Sequence, residues 1–181
     1  VIPRITRYFF SSVIGGMEEV LNTAGYNLMI CQTLESSSKE TTNIRTLLHM
    51  QVDVIFISLS AGTVSTNHIK ELLELGKRVI MFDRVDEKLN VDMVNINDYE
   101  GAYKAVSHML EQGFTKIAHF GGPQNINIYK ERRQGYLDAL SNNNIGYVKI
   151  IDDTITRERG MEEFEKILNS LASEKLRCTD T

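Results

Sequence analysis

Apolar runs of strand length alternate along this chain with stretches whose apolar residues recur at helical spacing. Ile14, Met17, Val20, Leu21 and Ala24 share one helix face, and Gly25 follows where a helix can close on a left-handed residue. Asn27 to Gln32 (NLMICQ) then reads as a buried strand. Ser37 or Ser38 can cap a helix that sets Ile44, Leu47 and Leu48 on one side, and the VDVIFIS run from Val52 is rich in β-branched residues. A third helix, with Ile69, Leu72 and Leu73, stops at Gly76. RVIMF from Arg78 to Phe82 is the next strand, with Asp83 just beyond it. Met93 to Ile96 makes a short strand, and Asp98 can cap the helix that carries Ala102, Ala105, Val106, Met109 and Leu110. Gly113 ends that helix, and KIAHF from Lys116 to Phe120 follows.

Near-continuous apolar strands alternating with one-sided helices are the pattern of a parallel sheet covered on both faces, so the predicted fold class is α/β. The sheet is expected to run through about Phe120, with a crossover near Gly121 to Asn125. That gives an N-terminal lobe over 1–123 and a second lobe over 124–181. The second lobe shows a helix around Tyr129 to Asn142, one clear strand at Val148 to Ile151, and a helix from about Thr156 with Met161, Phe164, Leu168 and Leu171 on one face. One strand cannot bury the faces of a sheet. Residues 172–181 carry no strand, and Val1-Ile2-Pro3 reads as the tail of one. The expectation is a fragment at both ends, the first lobe nearly complete and the second partial.

Composition narrows the function classes. Of 181 residues, 42% are apolar and 24% charged, with only 2 Pro and 12 Gly, which is ordinary globular usage. A net charge of -4 gives the chain no electrostatic footprint for nucleic acid or an anionic membrane. Cys31 and Cys178 stand far apart without metal-ligand spacing, which fits a reducing compartment and, with no signal peptide or membrane-length apolar run, a cytoplasmic location. Neither GxxxxGK[ST] nor GxGxxG is present, and His49, His68, His108 and His119 fall on separate elements without HExxH spacing. No cofactor, no metal and no enzymatic activity are therefore expected. His119, within an apolar strand, reads as a hydrogen-bonded core residue. Asp152-Asp153 reads as the start of a turn rather than a metal site.

Open parallel sheets bind ligands outside the carboxyl ends of their strands. Three such places are informative here. Tyr8-Phe9-Phe10-Ser11-Ser12 offers aromatic faces that can stack on a sugar or base, though Phe9 and Phe10 fit equally well as apolar residues stapling a helix start. Asp83-Arg84 can clamp a polyol or carboxylate, the carboxylate accepting two hydroxyls and the guanidinium donating in a fixed fork, or can be a mutual ion pair. Lys130-Glu131-Arg132-Arg133 opens a helix and, alone, reads as a solvated charge run.

These places and the phrases around them resemble the lactose/galactose repressor (LacI/GalR) family of bacterial transcription regulators. Its core is similar to the periplasmic sugar-binding proteins of type I. The matching phrases are VIPRITRYFFSSVIGGMEE at 1–19, VIMFDR at 79–84, NDYEGAYKAVSHMLEQGFTKIAHFGGP at 97–123 and KERRQGYLDAL at 130–140. The resemblance spans about residues 1–170. It implies that Phe9 and Phe10 line a cleft, that Asp83 and Arg84 face the ligand from the first lobe with Ser58 as a weaker cleft position, and that Arg132 reaches it from the second. It also implies a sugar or sugar phosphate as small effector, a homodimer, and operator DNA bound only through a headpiece that these 181 residues do not include. The other function to weigh is a periplasmic-type sugar-binding protein serving a transporter.

Overall fold

The computed structural model describes residues 1–152 and 156–178, with side chains through residue 170. Asp153, the side chains of Leu171 and Cys178, and residues 179–181 lie outside the described residues. The chain divides into two compact units, Val1–Ile96 and Asn97–Thr181.

The first unit holds α1 (Tyr8–Thr23), α2 (Ser37–His49), β1 (Val54–Ile57), α3 (Asn67–Glu74), β2 (Arg78–Phe82) and β3 (Asp92–Val94). The strands form a parallel sheet in the order β1-β2-β3, with Val54 opposite Arg78 and Ile80 opposite Asp92. Side-chain alternation divides each strand between two layers. Ile55 and Ile57 of β1 and Val79 and Met81 of β2 pack with Ile44 and Leu47 of α2 and Ile69 and Leu72 of α3. Phe82, with Phe56 beside it, packs on the other face with Phe10 and Ile14 of α1. Each such side chain, fully buried, stabilises the fold by about 1.5–3 kcal/mol relative to exposure.

Val1–Pro3 extends this sheet past β1. Ser58 N donates to Val1 O (3.0 Å), and Ile2 makes a single parallel bridge to Gln32. The strand expected over Asn27 to Gln32 is reduced to that bridge. Strand geometry needs a ladder partner, and on this side the backbone bonds of Val1–Pro3 go to Cys31, Thr33 and Leu34, beyond most of the expected strand. Met29 and Ile30 are exposed.

The second unit holds α4 (Asp98–Glu111), β4 (Ala118–Phe120), α5 (Asn127–Asn142), β5 (Lys149–Ile151) and α6 (Arg157–Cys178). Here the structure corrects two expectations. The first sheet does not run to Phe120: β4 pairs in parallel with β5, Ala118 opposite Lys149, as a separate sheet. The division between units accordingly falls after Ile96 rather than near Pro123. The physical reason is the packing of α4 on α5. Gly135 of α5 presses so closely on α4 that a Cβ there would lie 2.3 Å from Tyr99 O, and Val106, Ile117, Tyr136, Ala139 and Leu140 form one core. Tyr136 Oη donates to Ile117 O (2.9 Å) and accepts from Lys149 N (3.0 Å), tying the two strands together.

Helix ends follow the expected chemistry one residue off in two cases. Ser36, not Ser37 or Ser38, caps α2 by accepting from Lys39 N, and Asn97, not Asp98, caps α4 by accepting from Glu100 N. Gly25, Gly76 and Gly113 follow α1, α3 and α4 with positive φ. Among the described residues no helix is long and apolar enough to cross a membrane.

Candidate functional site

The carboxyl ends of β1 and β2 bring three of the expected residues together. Ile57 is opposite Met81, so the residues leaving the two strands, Ser58 and Asp83, emerge side by side. Ser58 is fully buried, and its hydroxyl donates to Asp83 Oδ2 at 3.3 Å. Asp83 is partly buried and holds φ at +60°, while its amide donates to Val94 O at the end of β3. A left-handed conformation at a non-glycine residue costs about 1–2 kcal/mol. Such strain persists where surrounding structure over-determines it, commonly at functional sites.

Arg84 is placed differently from the expectation that it faces a ligand. Its residue is 7% exposed, and its guanidinium donates to Glu35 Oε2 at 2.8 Å and to Leu59 O at 3.4 Å, with Asp83 3.9 Å away. Behind it lies a second carboxylate. Glu40 is fully buried and accepts from Ser60 N (2.7 Å), Ser60 Oγ (2.7 Å) and Thr63 Oγ1 (2.8 Å), with His68 Nε2 at 2.9 Å. An ionised carboxylate only accepts, so Nε2 carries the His68 proton in this pair. Burial pushes the Glu40 carboxyl up, but the bonds from His68, Ser60 and Thr63 outweigh it and hold the group below its ordinary range.

The aromatic pair separates. Phe10 is core, 4% exposed and edge-on to Phe82, with ring centroids 6.3 Å apart. Phe9 is exposed and edge-on to Phe10. In the second unit, Arg132 Nε donates to the buried Asp98 at 2.6 Å while its own side chain stays partly exposed, and Arg133 pairs with Asp152 at 3.4 Å. His119 stacks on Tyr136, centroids 5.2 Å apart, and its buried Nε2 has no hydrogen-bond partner among the described residues, contrary to the expected hydrogen-bonded core histidine. A cavity of about 550 Å³ in the first unit runs along one face of the sheet, bordered by Leu21 and Met29 and by Val54, Phe56, Arg78 and Phe82 of the strands. It does not include Ser58 or Asp83. Among the described residues no three His, Cys, Asp or Glu side chains converge as metal ligands.

Sequence reasoning missed Glu35, Glu40 and His68. For Glu40 a signal existed: it stands at the i, i+4, i+7 spacing with Ile44 and Leu47, a charge inside the apolar stripe of α2, and a charged residue there is rarely buried unless paired. Asp98 as the partner of Arg132 had no such signal, because 34 residues separate them.

Parallel strands under helices, with polar groups gathered at the strands' carboxyl ends, are the arrangement in which open α/β sheets bind small ligands. Residues 1–174 match the family described as periplasmic binding proteins and sugar binding domain of the LacI family, and the chain belongs to that family. The ribose operon repressor of Halalkalibacterium halodurans is 26% identical over 171 residues, covering 94% of this chain and 48% of that protein. The HTH-type transcriptional repressor PurR of Vibrio atlanticus is 31% identical over 143 residues, covering 78% of this chain and 42% of that protein. In fold, the Cra transcriptional dual regulator of Pseudomonas putida, solved in complex with fructose 1-phosphate, aligns with a TM-score of 0.86 at 19% identity, over 94% of this chain and 63% of that one. The chain spans about half the length of the curated relatives it matches.

Proposed function

We propose that this chain is the effector-binding core of a cytoplasmic LacI-type transcription regulator, a sensor rather than an enzyme, taking a small polar ligand such as a sugar or sugar phosphate. The observation that carries this reading is the Ser58–Asp83 pair, set at the carboxyl edge of a parallel sheet in a chain of this family. The Asp83 carboxylate, held by the Ser58 hydroxyl, is the group that would accept ligand hydroxyls. Arg132, anchored by Asp98, is a further residue of this chain suited to bind a polar ligand group, and Phe9 offers an exposed ring. The relatives named above are transcription regulators, which favours this reading over a transporter's sugar-binding protein. The whole protein would act as a homodimer. Effector binding would favour one of two conformations, and through it raise or lower affinity for operator DNA.

Calorimetric titration of the complete gene product with sugars and sugar phosphates tests this. Asp83→Ala is expected to lose about 1.5–3 kcal/mol of binding, the scale of a hydrogen bond to a charged group. Arg132→Ala is expected to weaken binding similarly and Arg133→Ala little. Equal losses at Arg132 and Arg133 would refute the assignment.

A further inference from the structure

The segment that leaves β1 is held by two carboxylates from outside it. Ser58 N donates to Val1 O, Leu59 N to Arg84 O, Gly62 N to Glu35 O and Thr63 N to Ser60 O. The two amides between are taken by side chains: Ser60 N donates to Glu40 Oε2 at 2.7 Å and Ala61 N to Glu35 Oε2 at 2.8 Å. Six successive amides are thus engaged inside the protein. The same Glu35 oxygen accepts from Arg84, whose guanidinium also reaches Leu59 O. Glu40 binds the Ser60 and Thr63 hydroxyls and His68, so one buried carboxylate joins the start of α2, this segment and the start of α3.

The backbone is shaped for this contact. Leu34 and Glu35 are consecutive non-glycine residues at φ +52° and +66°, an arrangement that needs support from its surroundings. Glu35 O sits so close to Gly62 that a Cβ there would lie 2.9 Å from it. A buried carboxylate that accepts from one amide and two hydroxyls of a short segment holds that segment in one geometry.

We propose that Glu35 and Glu40 are positioning residues of the effector site. They clamp residues 58–63 and the Arg84 guanidinium, and thereby present the Ser58 hydroxyl and the Asp83 carboxylate together. This rests on the effector-site reading above, but its first two measurements need no ligand. In the 181-residue chain, Glu35→Gln and Glu40→Gln are made, and amide exchange is followed at Ser60, Ala61 and Gly62 against Val79, Ile80 and Met81 of β2. Exchange in the segment should rise about tenfold or more, by the loss of one charged hydrogen bond, with β2 unchanged. A crystal structure of Glu35→Gln should then show the Ser58–Asp83 hydrogen bond broken. Unchanged exchange, exchange rising equally in β2, or an intact Ser58–Asp83 bond overturns the proposal. Glu35 is only partly buried, so that variant serves if Glu40→Gln does not fold. In the complete gene product, titration with D-ribose and fructose 1-phosphate is the third measurement, and both variants should lower affinity at least tenfold. A sugar bound as tightly by both variants as by the parent also overturns the proposal. Failure of Asp83→Ala to weaken that sugar, with segment exchange raised and the Ser58–Asp83 bond lost, counts against the effector reading alone.

Discussion

At the scale of single residues, the charged groups of this chain divide into those the fold has desolvated and those it has left in water. Glu40 and His119 belong to the first kind, and both make the protein less stable in acid for different reasons. Glu40 is held below its ordinary value of 4.5 when folded, so its contribution is present above that value and is lost as pH falls through the depressed one. His119 is lowered from 6.5, first by burial and further by Arg133 and Arg132, against the opposing pull of Asp152. A folded state that prefers the neutral ring binds fewer protons than the unfolded chain. The penalty is therefore absent above about pH 6.5 and grows as pH falls from there toward the depressed value. Urea midpoints between pH 7.5 and 5.5 should decline, and His119→Gln should flatten that decline. An equally steep profile in the variant would refute the assignment to His119.

At the scale of elements, the α4–α5 contact decides the second unit. Gly135 has no substitute there. Its missing side chain lets the two helices approach until Tyr99 O, Tyr103 N and the Ala102 methyl crowd the place of a Cβ. Gly135→Ala should destabilise the protein by about 1–3 kcal/mol, the range for forcing an added methyl into a filled core, measured as a drop in urea midpoint. The same change at Gly101, where a Cβ would meet nothing, should be neutral or slightly stabilising because α4 there is open to solvent. The first unit owes its order to alternation instead. Ile55 and Ile57 turn to α2 and α3 while Phe56 turns to α1, so one short strand serves two layers.

At the scale of the whole molecule, charge sets what this chain can touch. With 20 basic against 24 acidic residues, it has no excess of cations to displace counterions from phosphate. A gel shift at low salt with the 181-residue chain should show no operator complex. Salt-sensitive binding in that assay would mean that a basic surface on this chain contacts DNA itself.

The pattern of apolar residues determined the α/β class, both ends of α4 and α5 to within about two residues, and β2 to the residue, because those features are local and periodic. It also placed Ser58, Asp83 and Arg84 at strand ends, where a parallel sheet gathers its chemistry. What it did not determine was which strands pair. KIAHF carries the same apolar signal whichever sheet it joins, and its pairing with β5 goes with tertiary contacts, the fit of Gly135 against α4 and the Tyr136 bonds to Ile117 and Lys149 among them. Nor could it show that Arg84 turns inward to Glu35 or that Phe10 is core, since both depend on contacts with residues distant in the chain. Hydrophobic period is written along the sequence, while pairing, burial of charge and the partners of a buried carboxylate exist only once distant segments meet.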